Sequence, residues 1–239
     1  MRMLAFDTCF DAVSAAVGAR GGDGAFHVME RFERLDKGHA ERILPLIRET
    51  LTEAGVEFTD LDRLAVTTGP GGFTSVRAGL AVARGLALAL GRPLIGIGSL
   101  ELVAQCAAET VAGDPDVPLL VLMDARKSDA FIQNFDVRVA DGGMIAVAQD
   151  EPRLVSLEEL RQFLRQGPAN VVGTATHLLS NLADGGSTGH RILGRIELRA
   201  GVLARLAEKR RETGPTRPVY LRAADAKPQT AAAIARTSA

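Results

Sequence analysis

Two cysteines in 239 residues, Cys9 and Cys106, are too few for a disulfide framework, and they point to a reducing compartment. Neither sign of charge dominates, since 28 Lys and Arg stand against 29 Asp and Glu. A chain that grips nucleic acid unaided carries a basic stripe to neutralise phosphates, and none is visible. The densest basic patch, Lys209-Arg210-Arg211, closes a helical run and reads as a helix C-terminal charge. A role with RNA would need positive surface from a partner. No apolar run approaches about 18 residues without a charge, so no membrane span is expected. Met1 to Asp7 meets a carboxylate too early for a signal peptide. These absences lead us to expect an untargeted, soluble, cytoplasmic chain.

Catalytic signatures are equally sparse. No Gly-x-Ser-x-Gly elbow occurs. The four histidines, His27, His39, His177 and His190, include no pair one helical turn apart, the spacing that puts two imidazoles on one metal. Metalloprotease chemistry has little to stand on, and no metal site is expected.

What is present is a large core and an ordered succession of elements. With 46% hydrophobic residues and no long polar tract, the chain can fill one large domain or two small lobes at roughly 150 residues per domain. Leu4 to Asp7, Ala12 to Ala19 and Ala25 to Glu33 read as a three-stranded meander with turn chemistry between them. A helix from about Ala40 to Ala54 follows, with Ile43, Leu44, Ile47, Leu51 and Ala54 on one face, Pro45 in its first turn and Gly55 as its cap. Then come a strand at Leu64 to Thr67, a helix to Leu90, a strand at Leu94 to Ile97 and a helix from Ser99 to Val111.

After the junction Gly113-Asp114-Pro115-Asp116-Val117-Pro118, Leu119 to Asp124 is again a strand ending in aspartate, with Ala130 to Val139 behind it. The parallel with Asp7 and its hairpin suggests an internal duplication; chance similarity of two hairpins is the alternative. The second copy is less regular: Met144 to Ala148, a helix at Ser156 to Gln166, Asn170 to Val172, and a last helix near Leu198 to Arg211. The expected organisation is a first lobe over 1–112, a second over 113–213 and a partly mobile tail over 214–239. Two such lobes, each a mixed sheet with helices, point to the two-lobed α/β fold of actin-like ATPases, which is RNase H-like in each half. In that fold the aspartates ending each lobe's first strand, here Asp7 and Asp124, face a cleft for metal and phosphate.

The turn Gly69-Pro70-Gly71-Gly72-Phe73-Thr74-Ser75-Val76-Arg77 joins a strand to a helix start, where N–H groups and the helix dipole favour an anion. Phe73 stands where a Walker loop needs Lys, and Thr74 where a dinucleotide fingerprint needs glycine. A phosphate cradle and a tight turn for close helix packing both remain open, with Gly69, Gly71 and Gly72 the residues concerned.

That turn, with Leu4-Ala5-Phe6-Asp7-Thr8, Gly38-His39-Ala40-Glu41, Asp124-Ala125-Arg126 and Pro218-Val219-Tyr220-Leu221-Arg222, resembles the TsaB (YeaZ-type) proteins of bacteria, densely over residues 1 to about 105. The chain departs from that pattern at Gly72 and Ser75, where the family has serine and glycine, and at Cys9, where it has serine. The last change speaks against a phosphate-holding hairpin. The resemblance implies a subunit without catalysis of its own. It would serve the synthesis of threonylcarbamoyladenosine on tRNA, at the adenosine beside the anticodon. It implies pairing with the larger TsaD, which carries the metal, and work alongside the ATPase TsaE, with tRNA reached through the complex and a homodimer formed in TsaD's absence. No tightly bound cofactor is implied; ATP or ADP would bind only in the assembly, and Asp7, Thr8 and Asp124 would mark a vestigial nucleotide cleft.

The helix after the turn is apolar nearly all round, with Gly79, Ala83 and Ala87 as a small-residue stripe. A helix apolar on every side is buried on every side, in its own lobe or under another chain. The expected docking face is Leu46, Leu80 and Leu88 with His39, Arg42, Arg77 and Arg84; the alternative is that these leucines fill the lobe's core. An active kinase or ATPase of the actin-like kind competes with the subunit reading. Asp7 and Asp124 favour it, and Gly185-Gly186 is the candidate adenosine glycine pair.

Overall fold

The computed structural model describes residues 1–110, 116–125, 129–140, 143–180, 189–211 and 214–222. Alternating apolar residues and turn signals build the expected meander: β1 (Arg2–Asp7), β2 (Ala12–Arg20) and β3 (Phe26–Arg34), antiparallel, with Asp7 opposite Ser14 and Ala12 opposite Arg34. Helix α1 (His39–Ala54) returns the chain to β4 (Arg63–Thr67), parallel to β1; α2 (Phe73–Leu90) returns it to β5 (Leu94–Ile97), parallel to β4; and α3 (Ser99–Thr110) leaves the sheet. The strand order is β3-β2-β1-β4-β5.

The second sheet consists of β6 (Leu119–Asp124), β7 (Ala130–Ala140), β8 (Gly143–Ala148) and β9 (Arg153–Val155), then α4 (Leu157–Leu164), β10 (Asn170–Val172), α5 (His177–Ser180), β11 (Arg191–Gly194) and α6 (Ala200–Glu208). Its order is β11-β10-β6-β7-β8, with β9 paired to β7. β6, β7 and β8 are antiparallel neighbours, while β10 and β11 run parallel to β6. The first, second and third strands of each half form a meander, and two later strands, β4 and β5 in one and β10 and β11 in the other, extend it in parallel. The duplication suggested by Asp7 and Asp124 therefore exists as topology, and the fold is the expected two-sheet α/β arrangement. The outer part of the junction, 113–115, lies outside the described residues, as do Arg126, Gly185-Gly186 and the tail beyond 222.

Two details of α1 differ from expectation. The helix begins at His39, which puts Pro45 in its second turn rather than its first. Its buried side chains are His39, Ile43, Leu46, Ile47, Thr50 and Leu51, whereas Leu44 is 40% exposed. From Ile43 these positions follow the i, i+3, i+4, i+7, i+8 spacing of one helical face, with His39 one turn earlier on it, so Leu46 belongs to the stripe and Leu44 stands beside it.

The sheets share their filling. α3 packs on β6, β7 and β8 and touches α6, while α6, late in the chain, crosses back onto β1, β2 and β3 of the first sheet. β2 (AVSAAVGAR) is built of small residues because α1 presses on it from one side and α6 from the other. The Ser14 hydroxyl donates to Leu198 O at 3.1 Å, and a Cβ on Gly18 would lie 3.4 Å from that of Ala204. Gln105 of α3, buried, donates to Met144 O at 2.9 Å and accepts from Ala146 N–H at 3.0 Å, joining that helix to the outer strand β8. One apolar cluster consequently runs through both halves, and a second, around Leu120, Ile132, Leu160 and Val171, lies beneath α4.

The described part of the last segment packs on the first lobe. Val219 N–H donates to Thr68 O at 2.8 Å, and the Thr216 hydroxyl to Leu94 O at 3.2 Å.

Candidate partner interface and a closed aspartate site

Asp7, at the end of β1, is fully buried. Its Oδ1 accepts the N–H of Cys9 at 3.1 Å and the hydroxyl of Thr67, whose oxygen in turn accepts the Cys9 thiol at 3.4 Å. Oδ2 has no hydrogen-bond partner. Burial pushes the Asp7 carboxyl up to about 7, against the lowering effect of its bond from Thr67, because the ionised form has lost its water. The same burial and the neighbouring Asp7 charge hold the Cys9 thiol well above its ordinary range. Asp124, at the matching position of β6, is exposed, and its N–H donates to the Thr174 hydroxyl at 3.0 Å. The equivalence of the two aspartates is thus one of topology and not of environment. The expectation that both face a cleft fails for Asp7, which opens to none.

The glycine turn closes that site. Gly69 holds φ +93°, which a side chain would strain, and its carbonyl accepts from Ser99 N–H at 2.9 Å. The Ser99 hydroxyl donates to Pro70 O, so the start of α3 anchors the turn. Gly71 lies against the hairpin: a Cβ there would be 3.2 Å from that of Cys9. The Thr8 hydroxyl, buried, donates to Ser75 O at 2.8 Å. Gly79 backs onto the same threonine, where a Cβ would come within 2.3 Å of Thr8 Oγ1. Of the small-residue stripe, then, Gly79 serves close approach within the lobe. Gly79→Val is expected to cost about 2 kcal/mol or more by overpacking, read as a lower urea midpoint. An unchanged midpoint would mean that the hairpin yields freely.

Apolar on every side, α2 is nevertheless not buried on every side. Val76, Gly79, Leu80 and Ala83 face the lobe, Leu88 is 86% exposed and Phe73 50%. By length and composition this one helix could cross a membrane, yet only 28% of it is buried within the chain. Of the rest, Val82, Leu86, Ala87 and Leu90 are half-buried against the core, and the outward side carries Phe73, Leu88 and two arginines. The Arg77 guanidinium lies 3.5 Å from the Phe73 ring centroid and 5.4 Å from that of Tyr220, and its Nε donates to Tyr220 Oη at 2.7 Å. Arg84 donates to Thr216 O at 2.5 Å.

The structure separates the expected docking residues. Leu46 and Leu80 are buried in the core, so neither can present a side chain to a partner, and the core alternative holds for both. His39 is buried, with Nε2 2.8 Å from Phe10 O, to which it donates. Arg42 is clamped by Glu33 and Glu49, each at 2.7 Å, and its hydrogen bonds hold both carboxyls below their ordinary values. Arg77 and Arg84 strap residues 216–220 to the helix, and only Leu88 is largely open. Sequence reasoning missed Leu44, Phe73 and Tyr220 as surface residues. A lone tyrosine and a phenylalanine at a helix start were the available signals. Among the described residues, no cluster of three or more His, Cys, Asp or Glu could hold a metal ion.

Comparison with known proteins bears on this geometry. A family model described as TsaD, tRNA N6-adenosine threonylcarbamoyltransferase, matches residues 33–161. The tRNA threonylcarbamoyladenosine biosynthesis protein TsaB of Escherichia coli (strain K12) is 38% identical over 131 residues, covering 55% of this chain and 53% of that protein. The tRNA N6-adenosine threonylcarbamoyltransferase of Sorangium cellulosum (strain So ce56) is 33% identical over 173 residues, 67% of this chain and 46% of its own. The chain spans about half the length of the curated relatives it matches. YeaZ from Pseudomonas aeruginosa superposes with a TM-score of 0.71 at 25% identity, covering 92% of this chain and 99% of that one.

Proposed function

The chain belongs to the TsaB (YeaZ-type) group within the family that the TsaD model describes, and from that premise we propose that it is a non-catalytic subunit of the machinery that makes N6-threonylcarbamoyladenosine on tRNA. Its task is to dock on TsaD through the uncovered side of α1 and α2 and to support transfer of the threonylcarbamoyl group to the adenosine beside the anticodon. TsaE completes the assembly in the cytoplasm, tRNA is reached through it, and a nucleotide binds only at the assembled interface. In TsaD's absence the same face serves a homodimer.

The observation that carries this reading is the burial of Asp7 beneath the glycine turn. A carboxylate that accepts two internal hydrogen bonds and meets no solvent cannot ligate a metal or phosphate without rearrangement of β1, β4 and the turn. The chemistry then falls to a partner, and what this chain offers is surface: the outer side of α2, where Phe73 and Leu88 stand exposed. The test is a tRNA modification assay with TsaD and TsaE, with and without this chain. Modification should depend on its presence; full modification by TsaD and TsaE alone would overturn the proposal.

The active kinase is the second reading, favoured by the exposure of Asp124 at the end of β6. Titration of the isolated chain with Mg-ATP distinguishes the two. The subunit reading expects no micromolar binding with turnover, and the kinase reading requires both.

A further inference from the structure

The stretch Pro218-Val219-Tyr220-Leu221-Arg222 lies against the glycine turn that closes over Asp7. We propose that residues 216–222 are a latch on that site: seated, they keep the turn shut over Asp7 and Cys9, and lifted, they let it open to solvent.

The seat is shaped for this segment. A Cβ on Gly69 would stand 3.1 Å from Val219 O, and one on Gly96 would stand 2.7 Å from the Thr216 methyl. Val219 N–H donates to Thr68 O at 2.8 Å. Thr68 sits between Thr67, whose hydroxyl holds Asp7 Oδ1, and Gly69, where the turn begins. The segment therefore grips the backbone at the joint between the partner of the aspartate and the turn that covers it. Ser99 is a second anchor, bonded to Gly69 O and Pro70 O. With glycine at 69, 71 and 72 the turn has little stiffness of its own, so its closure depends on such anchors.

The latch is lightly held. Every residue from 214 to 222 keeps some exposure, whereas Asp7, Thr8 and Cys9 are buried. Tyr220, 44% exposed, rests beside Phe73 with ring centroids 5.5 Å apart and accepts from Arg77; Leu221 packs half-buried on the core. Arg222 reaches the second sheet, donating at 2.5 Å to Asp129, which stands just before β7. Pro215 and Pro218 lack an N–H to add to these ties. A segment with few buried apolar contacts and exposed hydrogen bonds belongs to the low-stability end of a fold, and it lifts while the core stays intact. Opening also relieves a local cost. Asp7 Oδ2 has no hydrogen-bond partner under the shut turn, and water entering beside it supplies one.

Cys9 reports the event. It is buried against Gly71, and burial and the Asp7 charge hold its thiol well above the ordinary range, so it reacts when the turn opens and both effects relax. Cys106, buried in α3, is the reference within the same molecule. The test is timed labelling of the isolated full chain with N-ethylmaleimide, each cysteine quantified by peptide mass spectrometry. The double variant Y220A/R222A should label Cys9 at least tenfold faster than wild type, with Cys106 within twofold. Should that variant fail to fold, Arg222→Ala, which leaves Tyr220 in place, replaces it with an expected rise of at least threefold at Cys9 alone. Unchanged labelling of Cys9 would overturn the proposal. So would equal acceleration of both cysteines, because it marks a loss of stability throughout the fold. The readout needs no partner, so its outcome is separate from that of the docking on TsaD.

Discussion

Leu80→Glu should unfold the chain, while Leu88→Glu should leave it folded and unable to join TsaD. The two leucines sit two turns apart on α2 in opposite surroundings: Leu80 is 3% exposed and Leu88 86%. A glutamate at 80 removes a buried leucine, worth about 2–5 kcal/mol by itself. It also puts a carboxylate where nothing pairs it, and the sum rivals the roughly 5–15 kcal/mol that holds a domain together. Leu46→Glu on α1 should behave like Leu80→Glu for the same reason. At 88 the fold has little at stake, within about 0.5 kcal/mol. An interface centred there would lose about 2 kcal/mol or more, near thirtyfold in affinity. Size-exclusion chromatography with TsaD and thermal melts separate the outcomes. Co-elution of a folded Leu88→Glu with undiminished affinity would remove Leu88 from the interface and with it the docking role of this end of α2.

The second large effect is a pH dependence. The Asp7 carboxyl is pushed from its ordinary 3.8 to about 7 in the folded chain. Below pH 3.8 both states carry the proton and nothing is lost. As pH rises toward 7 the unfolded chain has released its proton while the folded chain still holds one, so stability falls through this window. At about 1.4 kcal/mol per unit the whole span is worth on the order of 4 kcal/mol, and the part between pH 5 and 7 about 3 kcal/mol. Asp7→Asn abolishes the titration and keeps the Oδ1 acceptor for Thr67 and Cys9, although its amide N–H groups meet the same partnerless spot as Oδ2. That leaves the variant no better than wild type at pH 5, at a cost of about 1–3 kcal/mol for unpaired donors, and relatively more stable at pH 8. Urea unfolding of both proteins at pH 5 and 8 measures it. Parallel pH profiles for wild type and Asp7→Asn would show that Asp7 is not the group responsible.

Much of this architecture could be read from residues, for identifiable reasons. β5 and β10 fall where their apolar runs place them, and α2 starts and stops at Gly72 and Gly91, because glycine marks helix ends sharply. The aspartates ending β1 and β6 gave away the repeat. The lining of α1 was misjudged because Leu44 and Leu46 are two residues apart at the edge of one stripe, and only the full set of buried positions decides between them. β9 and β11, three and four residues long, carry too little pattern to announce a strand. For α2, apolarity all round states that the helix wants cover and not which molecule supplies it. Nor does a helical period name the sheet beneath a helix, so α6 gave no hint that it belongs to the first sheet. The closed state of Asp7 depends on contacts from Thr67 and the glycine turn, about sixty residues away, which local spacing cannot encode.

The crossing of α6 bears on how the protein is made. Strands β1, β2 and β3 leave the ribosome well before α6, the helix at residues 200–208 that covers one side of them. Domains ordinarily fold as they emerge, amino-terminal part first. Here the first sheet must wait, with one apolar side open, until the strands of the second sheet and α6 have been synthesised, and the two lobes reach their finished form together.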